Sequence, residues 1–408
     1  MIESMAQIHS SHSSATPFQA TRPDPAVQVH LSPSLLIVGG GLAGGLLAWR
    51  LAECFPDLSL QVLEQKPSIG AEHTWCFHQH DLTPESLAWL SPLISASWTS
   101  HDVRFPGLNR HLRSAYFAIR SEDFYARLKA KLGQQMQTGV QISSLAADRV
   151  VLANGDQLSG TVLDARGAPA LKPGTTGWQK FVGLELETEH GLRRPVLMDA
   201  TVPQLDGFRF MYLLPWSPRR LLIEDTRYSD TPELDTDTLE AGILAYAKQH
   251  GWHGKILRRE QGCLPLPLQS GFLNATSDLP ALGLRTGMFH YVTGYSLPET
   301  LRWINQLVEQ AKWHDWQPDA LSRMMTRYQS AWQGRQHFLI LLNRLLFRAA
   351  DPEQRWRVLA RFYGLPEPLI RRFYAGQLTP LDQFRLLAGR PPVSVFRALT
   401  ALPQRRLR

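Results

Sequence analysis

The sequence predicts an α/β fold in three parts: a parallel-sheet domain near the N-terminus, an antiparallel-sheet domain in the middle and a helical C-terminal region. Three observations predict it. The apolar run Leu35-Leu36-Ile37-Val38 ends in glycines, helical spacing follows through Leu46, Leu47, Arg50 and Leu51, and a second strand covers 59–64. Strand, glycine turn, helix, strand is a βαβ unit. From Phe181 to Thr226 the chain is strand-like, with Phe208–Leu214 and Arg220–Thr226 flanking Pro215-Trp216-Ser217-Pro218 as an antiparallel hairpin. After about Glu299 the pattern is helical to the end.

In chain order, residues 1–34 are rich in Ser, His, Pro and Thr and lack the apolar stretch of a signal-peptide core, so a disordered leader is expected. Residues 35–170 are expected to form the parallel-sheet domain, completed by 262–312. Within it, Val150–Asp156 reads as a hairpin strand with its turn, and Gly160–Gly167 as a buried strand ending in polar residues. Residues 171–261 are expected to form the second sheet, and 313–408 a basic helical region.

Composition narrows the classes. Hydrophobic residues make up 44% of the 408 and charged residues 19%, the balance of a folded globular chain. Three cysteines, Cys54, Cys76 and Cys263, are widely spaced, which argues against a disulfide framework or a zinc site and fits a reducing compartment. No metal ligand set is expected. The net charge of +7 is concentrated late: from Arg355 to Arg408 the only acids are Glu367 and Asp382. No window approaches the roughly 20 apolar residues of a membrane span.

The glycine turn carries the first chemistry. Gly39, Gly41 and Gly44 fit G-x-G-x-x-G directly after a strand and at a helix start, with Glu64 at the next strand end. Gly39 permits the tight turn, Gly41 lets a pyrophosphate approach the backbone, and Gly44 lets helix and strand pack closely. The helix N-terminus favours phosphate, and Glu64 can accept from ribose hydroxyls. A second glycine-bearing segment, Gly283 to Tyr295 with Gly287, Thr293 and Gly294, lies far downstream, and Asp164 ends the middle strand. In flavoproteins of the glutathione-reductase and hydroxylase type three such segments, in this order, surround FAD; the order favours FAD over NAD. Leu284 stands where most of those proteins carry an Asp.

Further segments carry a closer resemblance. They are His73-Thr74-Trp75, Arg104-Phe105-Pro106, Tyr116-Phe117 leading to Arg120, Met198-Asp199-Ala200-Thr201-Val202, Leu222-Ile223-Glu224-Asp225-Thr226, and Leu264-Pro265. Later come Gly287-Met288-Phe289-His290, Thr293-Gly294-Tyr295-Ser296-Leu297-Pro298, Arg361–Pro366 and Arg372–Gly376. Together they resemble the bacterial lycopene β-cyclases, of the FAD-dependent lycopene cyclase family, from about Leu35 to Leu402. Tyr291 and Gly45 depart from that pattern and are expected near the flavin. The resemblance implies a hydroxylase-like fold and closure of the ψ ends of lycopene into β-rings, through γ-carotene to β-carotene. It also implies reduced FAD with NAD(P)H as electron source, no net redox change, and a place for Arg120 on the cofactor side.

Ring closure needs a proton delivered to an alkene, a very weak base, so the acid must be poorly hydrated. Desolvation can raise a carboxyl pKa by roughly 3–5 units. Glu224, after Leu221-Leu222-Ile223, is the first candidate, and the family's catalytic carboxylate falls there; an ion pair with Arg219 or Arg220 is the structural alternative. Asp225 faces the other side of the strand. Asp199 is a second carboxylate candidate or a structural one, and His290 either orients the flavin, shuttles a proton or is merely hydrogen-bonded. Trp75, Phe77, Tyr212, Trp216 and Phe289 are candidates to stabilise a cation, or core. In the tail, Arg355, Trp356, Arg357, Arg361, Phe362, Tyr363, Arg371, Arg372, Phe373 and Tyr374 interleave cations with aromatics, which suits an anionic membrane surface on the cytoplasmic side; an ordinary basic helical face is the alternative. No nucleic-acid-reading motif accompanies them. An FAD monooxygenase or prenyl reductase, and a non-catalytic prenyl-binding escort protein, are the rival readings.

Overall fold

Parallel pairing needs strands covered on both faces, and the first strand meets that demand with four apolar residues. Leu35–Val38 is buried throughout. It sits in a four-stranded parallel sheet in the order Thr161–Asp164, Leu35–Val38, Leu60–Leu63, Met136–Gln137. Leu35 and Ile37 pack on the helices, whereas Leu36 and Val38 pack under a three-stranded flap, Ile142–Ala146, Arg149–Leu152 and Gln157–Ser159. Helix Leu42–Cys54 makes the crossover and stops before Pro56. Its close seating depends on Gly44, where a Cβ would lie 2.0 Å from the Gly39 carbonyl oxygen. The computed structural model describes residues 35–67, 73–273, 279–311, 316–389 and 395–401. The expected leader, 1–34, lies outside them.

The late segment returns to this sheet. Asp164 N–H donates to Pro280 O and Leu282 N–H to Asp164 O, so Ala281 sits beside the end of the Thr161–Asp164 strand. A short turn, Gly283–Thr286, leads on to helix Leu297–Gln310, which packs against Leu42–Cys54.

The second sheet has seven strands, in the order Lys255–Pro267, Thr176–Glu187, Arg220–Ser229, Phe208–Ser217, Val196–Asp199, His101–Phe105, Leu108–Leu112. The expected hairpin is its centre. The sheet is mixed rather than antiparallel throughout, because Val196–Asp199 runs parallel to His101–Phe105, a strand that comes from within the first 170 residues. Leu221 and Ile223 face helix Thr236–Gln249, while Leu222 and Tyr228 face the C-terminal helices. Burial on both faces explains why Leu221-Leu222-Ile223 does not alternate with polar residues. A small third sheet, Thr74–His78, Tyr116–Arg120 and Ala96–Trp98, bridges the two larger ones.

The C-terminal helices do not present the expected cation and aromatic stripe to solvent. Tyr363, Phe373 and Tyr374 are buried against the large sheet. Arg355, 1% exposed, donates to the carbonyls of Tyr228, Leu346 and Phe347 and pairs with Asp230 at 2.7 Å. Arg371 pairs with Glu367, and Arg372 holds Asp382 through two hydrogen bonds of 2.7 Å. Alternating cations and aromatics here serve packing: the rings fill the core and the guanidinium groups satisfy buried carbonyls and carboxylates. Apolar exposure lies further on instead, at Leu381, Phe384 and Leu387 on helix Pro380–Leu387 and at Phe396 and Leu399 on Val395–Ala401. No helix among the described residues is long and apolar enough to cross a membrane. Replacing Arg355 by Met strands three buried carbonyls and Asp230 and is expected to lower unfolding free energy by roughly 3 kcal/mol, read from the shift of the urea midpoint.

Candidate active site

One cavity of about 660 Å³ runs from the glycine turn to the large sheet. Gly39, Gly41, Glu64, Arg166, Gly283 and Gly294 line one end, and Phe181, Phe210, Tyr212, Glu224, Tyr228 and Tyr374 line the other. The first end suits an anion: no acidic side chain occupies the first turn of helix Leu42–Cys54, and its first residues, Leu42 and Ala43, line the cavity. Beside Gly41 there is open space, with no atom within 4 Å of where a Cβ would stand. Gly39 takes φ of +106°, a conformation few other residues adopt. Glu64 is held by the N–H groups of Gly40 at 2.7 Å and Lys66 at 2.9 Å, and its carboxylate retains acceptor capacity toward the cavity.

At the other end a row of four residues crosses the large sheet. Tyr212, Glu224, Gly183 and Glu260 are direct cross-strand partners on adjacent antiparallel strands, so all four share one face. Glu224 is only half-buried by area because its outer edge lines the cavity, yet protein packs densely around it. Burial, and next the Glu260 carboxylate, push the Glu224 carboxyl well above the usual range, with Arg258 acting in the opposite direction. Around it the wall is weakly polar. Cys76, whose thiol is pushed up to about 12 by burial, accepts from the Tyr212 hydroxyl at 3.1 Å. The Tyr116 hydroxyl links Tyr212 at 2.9 Å with Tyr295 at 2.8 Å.

The chain whose cavity joins this glycine-lined end to Glu224 has relatives among known proteins. The family model described as lycopene cyclase protein matches residues 34–400. The chain belongs to the lycopene cyclase family. It is 43% identical to the lycopene beta-cyclase of Pseudescherichia vulneris over 91% of its own length and 98% of that protein. With the lycopene beta-cyclase of a Paracoccus species it shares 43% over 92% and 99%. Among solved structures, Klebsiella pneumoniae HpxO, complexed with FAD and uric acid, superposes with a TM-score of 0.59 at 15% identity, over 86% of this chain and 98% of that one. The architecture is therefore that of the FAD-dependent hydroxylase-like enzymes.

In this cyclase-family chain the structure gathers Gly39, Gly41, Glu64, Gly283, Thr293, Gly294 and Glu224 around the one cavity. Gly44 lies behind it as the contact between helix and strand. The other candidates fall elsewhere. Asp164 is fully buried and not part of the lining; it holds Arg166 at 2.8 Å and Arg285 at 3.0 Å, clamping the late segment to the parallel sheet. Arg120 pairs with Glu185 at 3.0 Å and lies over the Trp216 ring. Gly287 ends its turn with φ of +74° against Phe272 and Leu273. Asp199 accepts from Thr201, Tyr246 and Arg104, on the far side of the sheet from Glu224. His290 is buried, bonded to Phe373 O at 2.9 Å, and lowered by that burial to about 4, so it is neutral at pH 7. Gly45 and Tyr291 do not line the cavity either: Gly45 leaves room for the Phe124 ring, and Tyr291 packs among Phe272, Phe289 and Trp332. Asp225, on the opposite face, grips Arg209 and Arg227.

Arg220 pairs with Glu185 rather than with Glu224. Sequence reasoning passed over Glu260 and Gly183, and named Thr74 only within the segment His73-Thr74-Trp75. The available signal was a lone Glu amid the alternating strand before Leu264-Pro265, but its cross-strand partner is set by register, which one strand alone does not reveal. The surroundings of Asp199 predict a structural cost. Asp199→Asn is expected to lower stability by roughly 2 kcal/mol in urea unfolding, leaving the pH dependence of turnover unchanged.

Proposed function

We propose that this chain is a lycopene β-cyclase that uses Glu224 as the acid, with FAD in the glycine cradle and NAD(P)H as the source of the flavin's electrons. Supporting this reading is a carboxyl whose hold on its proton is strengthened by burial, in the wall of a cavity that continues to the glycine turn. The substrate is lycopene, then γ-carotene, whose ψ ends become β-rings.

The residues suit the cofactor. Gly41 leaves space for a pyrophosphate, Glu64 stands where a ribose would lie, and Arg166 adds positive charge at the same end. Bound and reduced, FAD supplies negative charge beside a developing cation without being consumed. Glu224 transfers its proton to the terminal alkene. The neighbouring double bond attacks the resulting tertiary cation, and a proton leaves the new ring. Phe181, Phe210 and Tyr228 exclude water and offer ring faces to the cation, each worth about 2 kcal/mol when dry. Tyr212 and Cys76, both held neutral by burial, fix the wall beside Glu224 without competing as acids.

A polyene must be taken from lipid. We assign membrane contact at the cytoplasmic surface to the exposed face of Leu381, Phe384, Leu387, Phe396 and Leu399, with Arg385 and Arg397 beside it to meet anionic headgroups.

Two outcomes are expected. In anaerobic liposomes with lycopene, FAD and NADPH, β-carotene forms with no proportional loss of NADPH, and Glu224→Gln lowers turnover at least about 100-fold with FAD binding retained. Hydride consumed in step with product would instead indicate a prenyl reductase. Separately, the double variant Phe384→Asp, Phe396→Asp is expected to lose co-sedimentation with anionic liposomes while keeping the melting temperature of the parent protein.

A further inference from the structure

Two glutamates side by side inside a protein are unfavourable unless something spans them. Gly183 makes the approach of Glu224 and Glu260 possible: a Cβ there would lie 2.9 Å from the Cγ atoms of both and 3.3 Å from Oε1 of Glu260. Glu260, 3% exposed, sits behind Glu224 and does not line the cavity. Its Oε2 is tied down, accepting from the Thr74 hydroxyl at 2.8 Å and pairing with Arg258 at 3.0 Å. Its Oε1 is buried and has no hydrogen-bond partner among the described residues. A buried carboxylate oxygen without a donor is costly, and the acid proton of Glu224 is the group placed to supply it.

We propose that Glu260 is a positioning residue that shares one proton with Glu224, so that the pair delivers this proton to the alkene and recovers one from the new ring. The inference rests on the cyclase reading for its chemical purpose, though the shared proton itself does not require it. The balance is as follows. The O–H bond of Glu224 breaks and a C–H bond forms at the alkene, leaving the pair with two negative charges while the substrate carries one positive charge. After ring closure a ring C–H bond breaks and its proton returns to Glu224. The product is an isomer and the site is restored. Mutual repulsion of the two carboxylates drives the recapture, because a like charge at this range raises the affinity of the pair for a proton.

The other ionisable groups around Glu224 are accounted for. From the Lys255–Pro267 strand come Glu260 and Arg258, from the Phe208–Ser217 strand Tyr212, and from the Thr74–His78 strand Cys76. Arg258 is shared among Glu260, Glu185 and Glu122. Glu185 in turn pairs with Arg120 and Arg220.

The test uses the full chain without cofactor, followed by infrared spectroscopy of the protonated-carboxyl C=O stretch across pH. Subtracting Glu224→Gln from the parent isolates the Glu224 band from other buried acids such as Asp81, which is raised to about 7. The band is expected to persist above pH 7 in the parent. In Glu260→Gln it should titrate at least about one pH unit lower, because the like charge is gone. Gly183→Ala, which forces the two side chains apart, should move it the same way and serves if Glu260→Gln does not fold. With the cofactor and lycopene, the alkaline limb of kcat in Glu260→Gln should shift in parallel, which a merely structural residue would not cause. An unchanged titration midpoint in both variants overturns the proposal. A shifted band in a protein that forms no β-carotene leaves the shared proton standing and removes the cyclase reading instead.

Discussion

In water a carboxyl group loses its proton roughly two to three pH units below neutrality, so an acid that must protonate an alkene has to be kept from water and from cations. At Glu224, the acid we propose, burial in the large sheet and the Glu260 carboxylate outweigh the opposing Arg258. The strand that carries Glu224 is buried on both faces, because helix Thr236–Gln249 covers one and the C-terminal helices the other. The outer edge of the carboxyl lines the cavity, where an apolar substrate would replace solvent. Displacing the helices that carry Tyr363, Phe373 and Tyr374 would wet the chamber and return Glu224 toward an ordinary pKa. Packing in the C-terminal region is therefore part of the acid's chemistry.

Much of this was legible in the sequence, because local rules govern it. The glycine turn, the helix after it and the strand ending at Glu64 follow from spacing over some thirty residues. The hairpin of the large sheet follows from two strand-forming runs around a proline turn. Glu224 stood out because a charged residue closing a run of three buried apolar residues needs an explanation; in the structure it lines the cavity, while Arg220 pairs with Glu185.

What was not legible depends on contacts distant in sequence. Asp164 and Arg120 lie near the cofactor in chain order, but their side chains are taken by Arg285, 121 residues later, and by Glu185, 65 residues later. Asp199 and Glu224 both end apolar strand segments, and only the pleat, which turns one toward Tyr246 and the other toward the cavity, tells them apart. The arginines of the tail look alike as letters. Arg355 is a buried strut, whereas the surface that remains apolar is carried by Leu381, Phe384 and Leu387, in a stretch without aromatic and cationic alternation.

Charge placement on the same face of the sheet adds to the raised affinity of Glu224 for a proton. Glu122, Glu185 and Glu260 meet three guanidinium groups, those of Arg120, Arg220 and Arg258, in one connected set of ion pairs. Three cations offset three anions, and none is left over. A fourth carboxylate at 224 would be the unmatched charge of a buried cluster, facing Glu260 across a strand that contributes only a glycine. Burying such a charge costs more than protonating it. In the reaction we propose, the same arithmetic would hold once the proton has gone to substrate: the carbocation would balance the charge left on the cluster, so cluster and substrate together would be neutral before and after proton transfer.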